Sequence, residues 1–443
     1  MFLSKNFAVL KTILLALVLP ALSSADEVAS EVTERVNDLP GTPVRVIAVS
    51  DTVTKIDGYG AISLINTSDG SVVIDAGFYD ASSGKQKELV DELKSGPVRK
   101  LILTHAHPDH SGGITHWSAE RAAGMEIVAH QRYRYMARHQ LEPAPYWRTR
   151  YSKLYEMPAE TDTERPFWTL VPDREIYVGQ DYEFTLGDVR IEVMAFQNGG
   201  EGEDTLLVWL PDQKILFTGD LFGTLYPMFP NLYTVRGEKY RDPLDYIAAL
   251  DRVLALEPEI MIPTHFHVIR GKDYIRESVT RQRDAVQYVY DETLRYMNAG
   301  KTVWQAMEAI KLPPELELSQ GHGKVSWSVR AIWEIFTGWY HYDSVANLFH
   351  VPPDAVHDDL VDLAGGAGAI AKRARQHLDT GRPLEALRLL DVAANSATKD
   401  VLETRAAVLE ELVQDARQGL NNYTEVGLLQ ADLNETRAKL ARE

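Results

Sequence analysis

Three short runs rich in Val and Ile, over residues 44–56, 61–66 and 71–74, are separated by the turn signals Asp57-Gly58 and Ser68-Asp69-Gly70 and predict successive strands. Residues 84–94 carry apolar positions at helical spacing, and 98–103 reads as a buried strand that runs directly into Thr104. Two hairpins are expected further on. Segments 182–186 and 189–196 flank Gly187-Asp188, and 205–210 and 214–217 flank Pro211-Asp212. A last strand over 260–263 leads into Thr264-His265. Strands interleaved with helical segments predict an α/β fold in which sheets pack between helical layers. From about residue 276 the period changes. Segments 274–298, 303–310, 325–339, 367–378, 383–393 and 401–416 all place apolar residues three and four apart, so this part of the chain is expected to be all helical. The pair over 367–393, broken at Asp379-Thr380-Gly381, reads as a helical hairpin, of repeat type or as part of an ordinary helical domain.

Residues 1–25 stand apart from this pattern. Lys5 and Lys11 lead into an apolar run over 12–22, and Ser23-Ser24-Ala25 places small residues where a signal peptide is cleaved. The run is shorter than the ~20 residues that span a bilayer, and Pro20 interrupts it. The expectation is a signal peptide over 1–25, a linker over 26–43, and a mature protein that is periplasmic or secreted, with no membrane attachment after cleavage. The sheet-forming part spans 44–275 and the helical part 276–443.

Charge and composition then narrow the chemistry. With 46 Lys and Arg against 64 Asp and Glu, the chain has a net charge of −18 and no basic run longer than a few residues, which argues against a nucleic-acid partner. It contains no cysteine, so disulfides, thiolate-bound metals and a cysteine nucleophile are excluded. Any metal must sit on His, Asp and Glu.

Such a cluster follows the strand over 98–103: His105-Ala106-His107-Pro108-Asp109-His110, continued by Ser111-Gly112-Gly113. His105 and His107, two apart in extended chain, share a face, while Asp109 and His110 on the turn beyond can face a second point nearby. That arrangement suits two divalent ions. The segment resembles the His-x-His-x-Asp-His signature of the metallo-β-lactamase superfamily, and the supporting elements resemble it in order: Asp75 after Val72-Val73-Ile74, Asp220 in Thr218-Gly219-Asp220, and His265 in Pro263-Thr264-His265. Where most members place a third histidine, this chain has Glu201 within Asn198-Gly199-Gly200-Glu201. With the downstream run Asn231-Leu232-Tyr233-Thr234-Val235-Arg236-Gly237, this resembles the alkyl sulfatase branch, as do Arg281-Gln282-Arg283-Asp284 and Gly338-Trp339-Tyr340 in the helical part.

The resemblance implies a metallo-β-lactamase αββα sandwich followed by an all-helical alkyl sulfatase-type dimerisation domain, and hence a homodimer. It implies two ions, zinc or another divalent metal such as manganese or iron that the same ligands would hold, one on His105, His107 and Glu201, the other on Asp109, His110 and His265, with Asp220 bridging and a hydroxide shared between the ions as nucleophile. Asp75 is expected to orient a ligand histidine. Asp109 and Arg236 are the implied catalytic residues, and Arg236, Asn231 and Tyr233 would hold an anionic small-molecule ester through a planar guanidinium contact. The expected reaction is hydrolysis of an organic, alkyl sulfate ester. Hydrolysis of a β-lactam or lactone, or a non-catalytic dimeric binding protein, are the alternatives. Departures from the branch motivate them: Phe266 and Trp327 stand where the branch has histidines, the branch's bridging Glu is Asp220, and the sterol-carrier-like domain with which the branch usually ends would begin where this chain stops. Among other residues, His116 and His130 read as helix-surface and strand-end positions and His322 as a loop residue within reach of the pocket. Trp327, Trp333, Phe336, Trp339 and Tyr340, at helical spacing, are expected to pack in a core.

Overall fold

A computed structural model describes residues 42–154, 169–223, 225–235 and 237–442. The expected signal peptide and most of the linker lie outside the described residues, as does Arg236. Among the described residues no helix is long and apolar enough to cross a membrane.

The first sheet has the order β1 (Arg45–Ala48), β2 (Val53–Asp57), β3 (Ile62–Thr67), β4 (Gly70–Ile74), β5 (Val98–Ile102), β6 (Glu126–His130) and β7 (Arg174–Ile176). It is antiparallel from β1 to β4 and parallel from β4 to β7. The second sheet contains β8 (Tyr182–Leu186), β9 (Val189–Phe196), β10 (Thr205–Leu210), β11 (Ile215–Gly219), β12 (Ile260–Pro263) and β13 (Ile269–Arg270), in sequential order across the sheet. Only its β11–β12 pair is parallel.

Strand alternation builds the layers. Ile65, Val72, Ile102 and Val128 of the first sheet share one core with Ile191, Val193, Leu206, Val208 and Phe217 of the second. The opposite face of the first sheet, with Leu64, Val73, Leu101 and Ile127, is covered by Val90 and Trp117. Leu207, Trp209, Leu216 and Met261 on the outer face of the second sheet pack with Tyr246, Leu250 and Val253 of helix Pro243–Leu256, and with Val279 and Val286 of helix Lys272–Asn298. The result is the expected four-layer sandwich. The helical part follows, with helices Val303–Ala309, Val325–Thr337, Ala367–Asp379, Pro383–Val392, Lys399–Gln418 and Tyr423–Leu440.

Local chemistry sets the boundaries. Helix Ala81–Leu93 starts before the expected residue 84 because the Asp80 side chain accepts from Ser82 N and caps it. Helix Pro243–Leu256 has an Asp242 cap and Pro243 in its first turn, and Thr302 and Gln305 form a capping box. The single strand expected over 44–56 is instead a hairpin. The chain reverses between β1 and β2, where Ser50 Oγ accepts from Val53 N at 3.2 Å, a side-chain-stabilised turn inside an otherwise β-rich run. The expected aromatic core is also only partly present. Trp333 is buried, but Phe336 and Trp339 are 52% and 71% exposed: the packed stretch of helix Val325–Thr337 stops at Glu334, so Phe336 stands on its open last turn and Trp339 beyond its end at Gly338 (φ 65°).

Candidate functional site

Parallel pairing brings four strand ends to one edge of the sandwich. Asp75 directly follows β4, His105 lies three residues past β5, Asp220 directly follows β11 and His265 lies two residues past β12. Leu206 N donates to Thr104 O at 2.8 Å, joining the two sheets at this edge. Close backbone approach is built in. A Cβ on Gly60 would lie 1.7 Å from the carbonyl oxygen of Asp109, and one on Gly219 (φ 51°) would lie 2.9 Å from Thr104 Cβ.

Asp109, His110, Asp220 and His265 form one group, with a potential ligand atom from each lying within 4.8 Å of the others. His265 Nε2 stands 3.2 Å from Oδ2 of both Asp109 and Asp220, and His110 Nε2 lies 3.4 Å from Asp220 Oδ2. The other ring nitrogen of His110 is 2.8 Å from Asp75 Oδ2, and Asp75 also accepts from Thr104 N at 2.8 Å and Thr104 Oγ1 at 2.9 Å. Burial alone would push the histidines towards neutrality, but the facing carboxylates hold His110 well above the usual imidazole range and His265 up to about 10. Burial would likewise raise Asp109 and Asp220, yet the facing histidines hold both carboxyls below their usual range.

A second group lies beside it. His105 Nε2 and His107 Nδ1 are 2.9 Å apart, and Glu201 Oε2 is 3.4 Å from His107 Nδ1. The His105 and His110 rings, one from each group, have centroids 3.9 Å apart. Burial and the neighbouring histidines push His105 well below the usual imidazole range. Asp220 Oδ1 and His110 Nε2 are buried without a hydrogen bond, so the donor set presents polar atoms that a cation would satisfy. Imidazole nitrogens and carboxylate oxygens, with no thiolate, fit a divalent ion such as zinc.

Of the implied substrate residues, Asn231 and Tyr233 lie on the loop whose backbone Arg241 holds, through Asn231 O at 2.8 Å and Leu232 O at 3.2 Å. Asn231 is buried, with Nδ2 3.3 Å from His322 Nε2, so His322 does reach this loop. Tyr233 stacks on Tyr240 with centroids 5.3 Å apart, and the Tyr240 hydroxyl donates to Glu334 of helix Val325–Thr337. His116 is exposed, and His130 is buried at the end of β6.

Four residues at the site escaped the sequence reading. Thr104 bridges Asp75 to the ring nitrogens of His105 and His110, at 3.2 and 3.1 Å. Asp204 accepts from Ala106 N at 2.8 Å, and burial pushes its carboxyl up to about 7. Arg241 donates to Glu201 at 3.1 Å and to Glu238 at 3.1 Å, and Glu238 lies 3.2 Å from His107. A buried Arg in Gly237-Glu238-Lys239-Tyr240-Arg241-Asp242 has the same local appearance as a surface residue in a charged loop, so only the fold distinguishes it.

Comparison with known proteins agrees with this architecture. Residues 56–265 match the metallo-beta-lactamase superfamily, and residues 302–425 match the alkyl sulfatase dimerisation family. A linear primary-alkylsulfatase of Pseudomonas sp. (strain ATCC 19151) is 26% identical over 324 residues, covering 68% of this chain and 60% of the relative. An alkyl/aryl-sulfatase of Saccharomyces cerevisiae is 25% identical over 365 residues, covering 75% of this chain and 55% of the relative. The chain thus spans little more than half the length of these curated relatives. The solved structure of a stereoselective inverting sec-alkylsulfatase from Pseudomonas sp. superposes with a TM-score of 0.77 at 21% identity, covering 94% of this chain and 69% of that one, a likeness of fold.

Proposed function

The chain joins a metallo-β-lactamase superfamily domain to an alkyl sulfatase dimerisation domain, and from that premise we propose that it is a metal-dependent hydrolase of an organic sulfate ester that works as a homodimer. The observation that carries this reading is the pairing of two buried ligand groups, His105, His107 and Glu201 beside Asp109, His110, Asp220 and His265, under a loop that presents Asn231. Two zinc ions on these residues would lower the pKa of a water towards neutrality and draw charge from the ester oxygens.

The remaining roles belong to the protein. Asp75, through His110 Nδ1, and Thr104 orient the ring whose Nε2 faces Asp220. Asp220 Oδ1, which has no hydrogen-bond partner among the described residues, and Asp109 Oδ2, 3.2 Å from His265 Nε2, would be carboxylate ligands for the cations. Asn231 and Arg236 would hold the sulfate group. Their donors, with the cations, offset the repulsion of an anion by Asp109, Glu201 and Asp220 and by a chain whose net charge is −18. Exposed apolar side chains at the end of helix Val325–Thr337 and beyond it, among them Phe336, Trp339, Tyr342, Leu348 and Phe349, support self-association. The leader-like stretch over 1–25 supports action outside the cytoplasm.

Release of inorganic sulfate from short and long alkyl sulfates, by wild type and Arg236→Ala, tests the reading. Sulfate release that falls about 100-fold in the variant is expected for loss of a charge-assisted bidentate contact. An unchanged rate removes Arg236 from the site. Ring opening of a β-lactam or lactone, with no sulfate released, replaces the sulfatase reading.

A further inference from the structure

His107, Glu201, Arg241 and Glu238 close a ring of polar contacts. Arg241 Nη1 donates to Glu201 Oε1 at 3.1 Å, and Arg241 Nη2 donates to Glu238 Oε2 at 3.1 Å. The remaining oxygen of each carboxylate faces the same imidazole: Glu201 Oε2 lies 3.4 Å from His107 Nδ1, and Glu238 Oε1 lies 3.2 Å from His107 Nε2. All four side chains are almost enclosed, at 5% exposure for Arg241, 4% for Glu201, 10% for Glu238 and 9% for His107. We propose that Arg241 and Glu238 are positioning residues that aim Glu201 Oε2 and His107 Nδ1 together at one metal ion.

The arrangement goes beyond an ordinary ion-pair network. Buried ion pairs are a weak source of stability, because desolvation offsets much of the attraction, so stability alone gives little reason to enclose two carboxylates around one arginine and one histidine. Each carboxylate divides its oxygens in the same way, one to the guanidinium and one to the imidazole, which fixes its rotation. Glu238 meets Nε2 of His107, so with the Nε2 proton donated to it, Nδ1 is left as the free-electron-pair nitrogen on the side of His105 and Glu201. The planar fork of arginine can span both carboxylates, whereas a lysine ammonium on a flexible stem cannot hold both in one plane.

The ring also reaches the substrate loop. Arg241 Nη1 donates to Asn231 O at 2.8 Å, and Arg241 N donates to Leu232 O at 3.2 Å, so the residue that sets the ligand pair also fixes the backbone carrying Asn231 and Tyr233. A glutamate ligand has more rotational freedom than a strand-end histidine, and this clamp removes it.

The proposal rests on the two-ion reading, and the test separates the two. Zinc stoichiometry and affinity are measured on the metal-stripped full chain by competition with a chromophoric chelator, for wild type, Glu238→Gln and Arg241→Lys. Glu238→Gln keeps the shape and is the milder change should Arg241→Lys fold poorly. The expected result is two ions in wild type and, in Glu238→Gln, about 10- to 100-fold weaker binding of one ion with the other unchanged. With cobalt(II) in place of zinc, the visible absorption of that ion alone should shift. Two ions bound with wild-type affinity in Glu238→Gln overturn the clamp and leave the two-ion reading intact. Equal loss at both ions, together with a lower thermal midpoint of the metal-free chain, assigns the ring to packing and also overturns it. Fewer than two ions in wild type overturns the two-ion reading itself, and the clamp with it.

Discussion

Asp75 Oδ2 lies 2.8 Å from Nδ1 of His110, and Asp75 holds a left-handed backbone with φ 63° at the end of β4. Asn tolerates that conformation, so Asp75→Asn changes the chemistry with little backbone strain. The amide oxygen must still accept from Thr104 N, where Asp75 Oδ1 does so now at 2.8 Å, which leaves the amide nitrogen facing His110 Nδ1. The imidazole would then carry its proton on Nε2, the nitrogen that faces Asp220. Zinc retained after dialysis should fall, with about 10- to 100-fold weaker binding of one ion. Retention equal to wild type would remove Asp75 from the orienting role.

Gly60 has no room for a side chain. A Cβ there would meet the Asp109 carbonyl at 1.7 Å, a contact with backbone that cannot rotate away. Gly60→Ala should therefore displace Asp109, lowering both the thermal midpoint, through about 1–3 kcal/mol of overpacking strain, and zinc retention. A variant with wild-type stability and zinc content would show that the loop has slack.

His130 gives an acid dependence separate from the metal site. Its Nδ1 accepts from Arg132 N at 3.0 Å, and burial, reinforced by the Arg132 charge, depresses its pKa from 6.5 to about 4. Because the folded value lies below the unfolded one, the unfolded chain takes up the proton first. Stability is fully present above pH 6.5 and falls as the pH drops towards 4, by roughly 3 kcal/mol in all. His130→Asn can keep the turn-like bond to Arg132 N without titrating. Urea midpoints measured from pH 7.5 to 4 should converge for the two proteins above pH 6.5 and diverge below it in favour of the variant. Parallel curves would contradict the assignment.

Trp339 and Phe349 are 71% and 69% exposed on the stretch that follows helix Val325–Thr337. If they lie in the homodimer interface, the double variant Trp339→Glu with Phe349→Glu should elute with a monomer mass in light scattering while wild type elutes as a dimer. A dimer mass in both places the interface elsewhere.

Much of this site could be read from the sequence because its ligands cluster at strand ends. His105 to His110 form one run, and Asp75, Asp220 and His265 each follow an apolar strand, where periodicity marks the end. The second sheet's hairpins were legible for the same reason, with turn residues at Gly187-Asp188 and Pro211-Asp212. The parts that were not legible depend on distance in the fold. Arg241, Glu238 and Asp204 are charged residues in loops, and burial alone separates them from surface charge. Of β6 only its end at His130 is legible in the sequence, and β7 is not, because it is only three residues long and lies far along the chain from its neighbour β6. Helix Tyr423–Leu440 was missed because it has little amphipathic contrast. The exposure of Phe336 and Trp339 depends on where the packing of helix Val325–Thr337 stops, at Glu334, not on the spacing of apolar residues.

If these two buried ligand groups serve a metal-dependent sulfate ester hydrolase, removing the metal must remove the activity. The most direct measurement follows inorganic sulfate released from an alkyl sulfate by the purified chain, before chelation, after removal of its metal, and after zinc is restored. The expected result is about two ions per chain, sulfate release that is lost on chelation, and recovery that tracks the second ion bound. Sulfate release that survives complete metal removal, or a fully zinc-loaded chain that releases none, would contradict it.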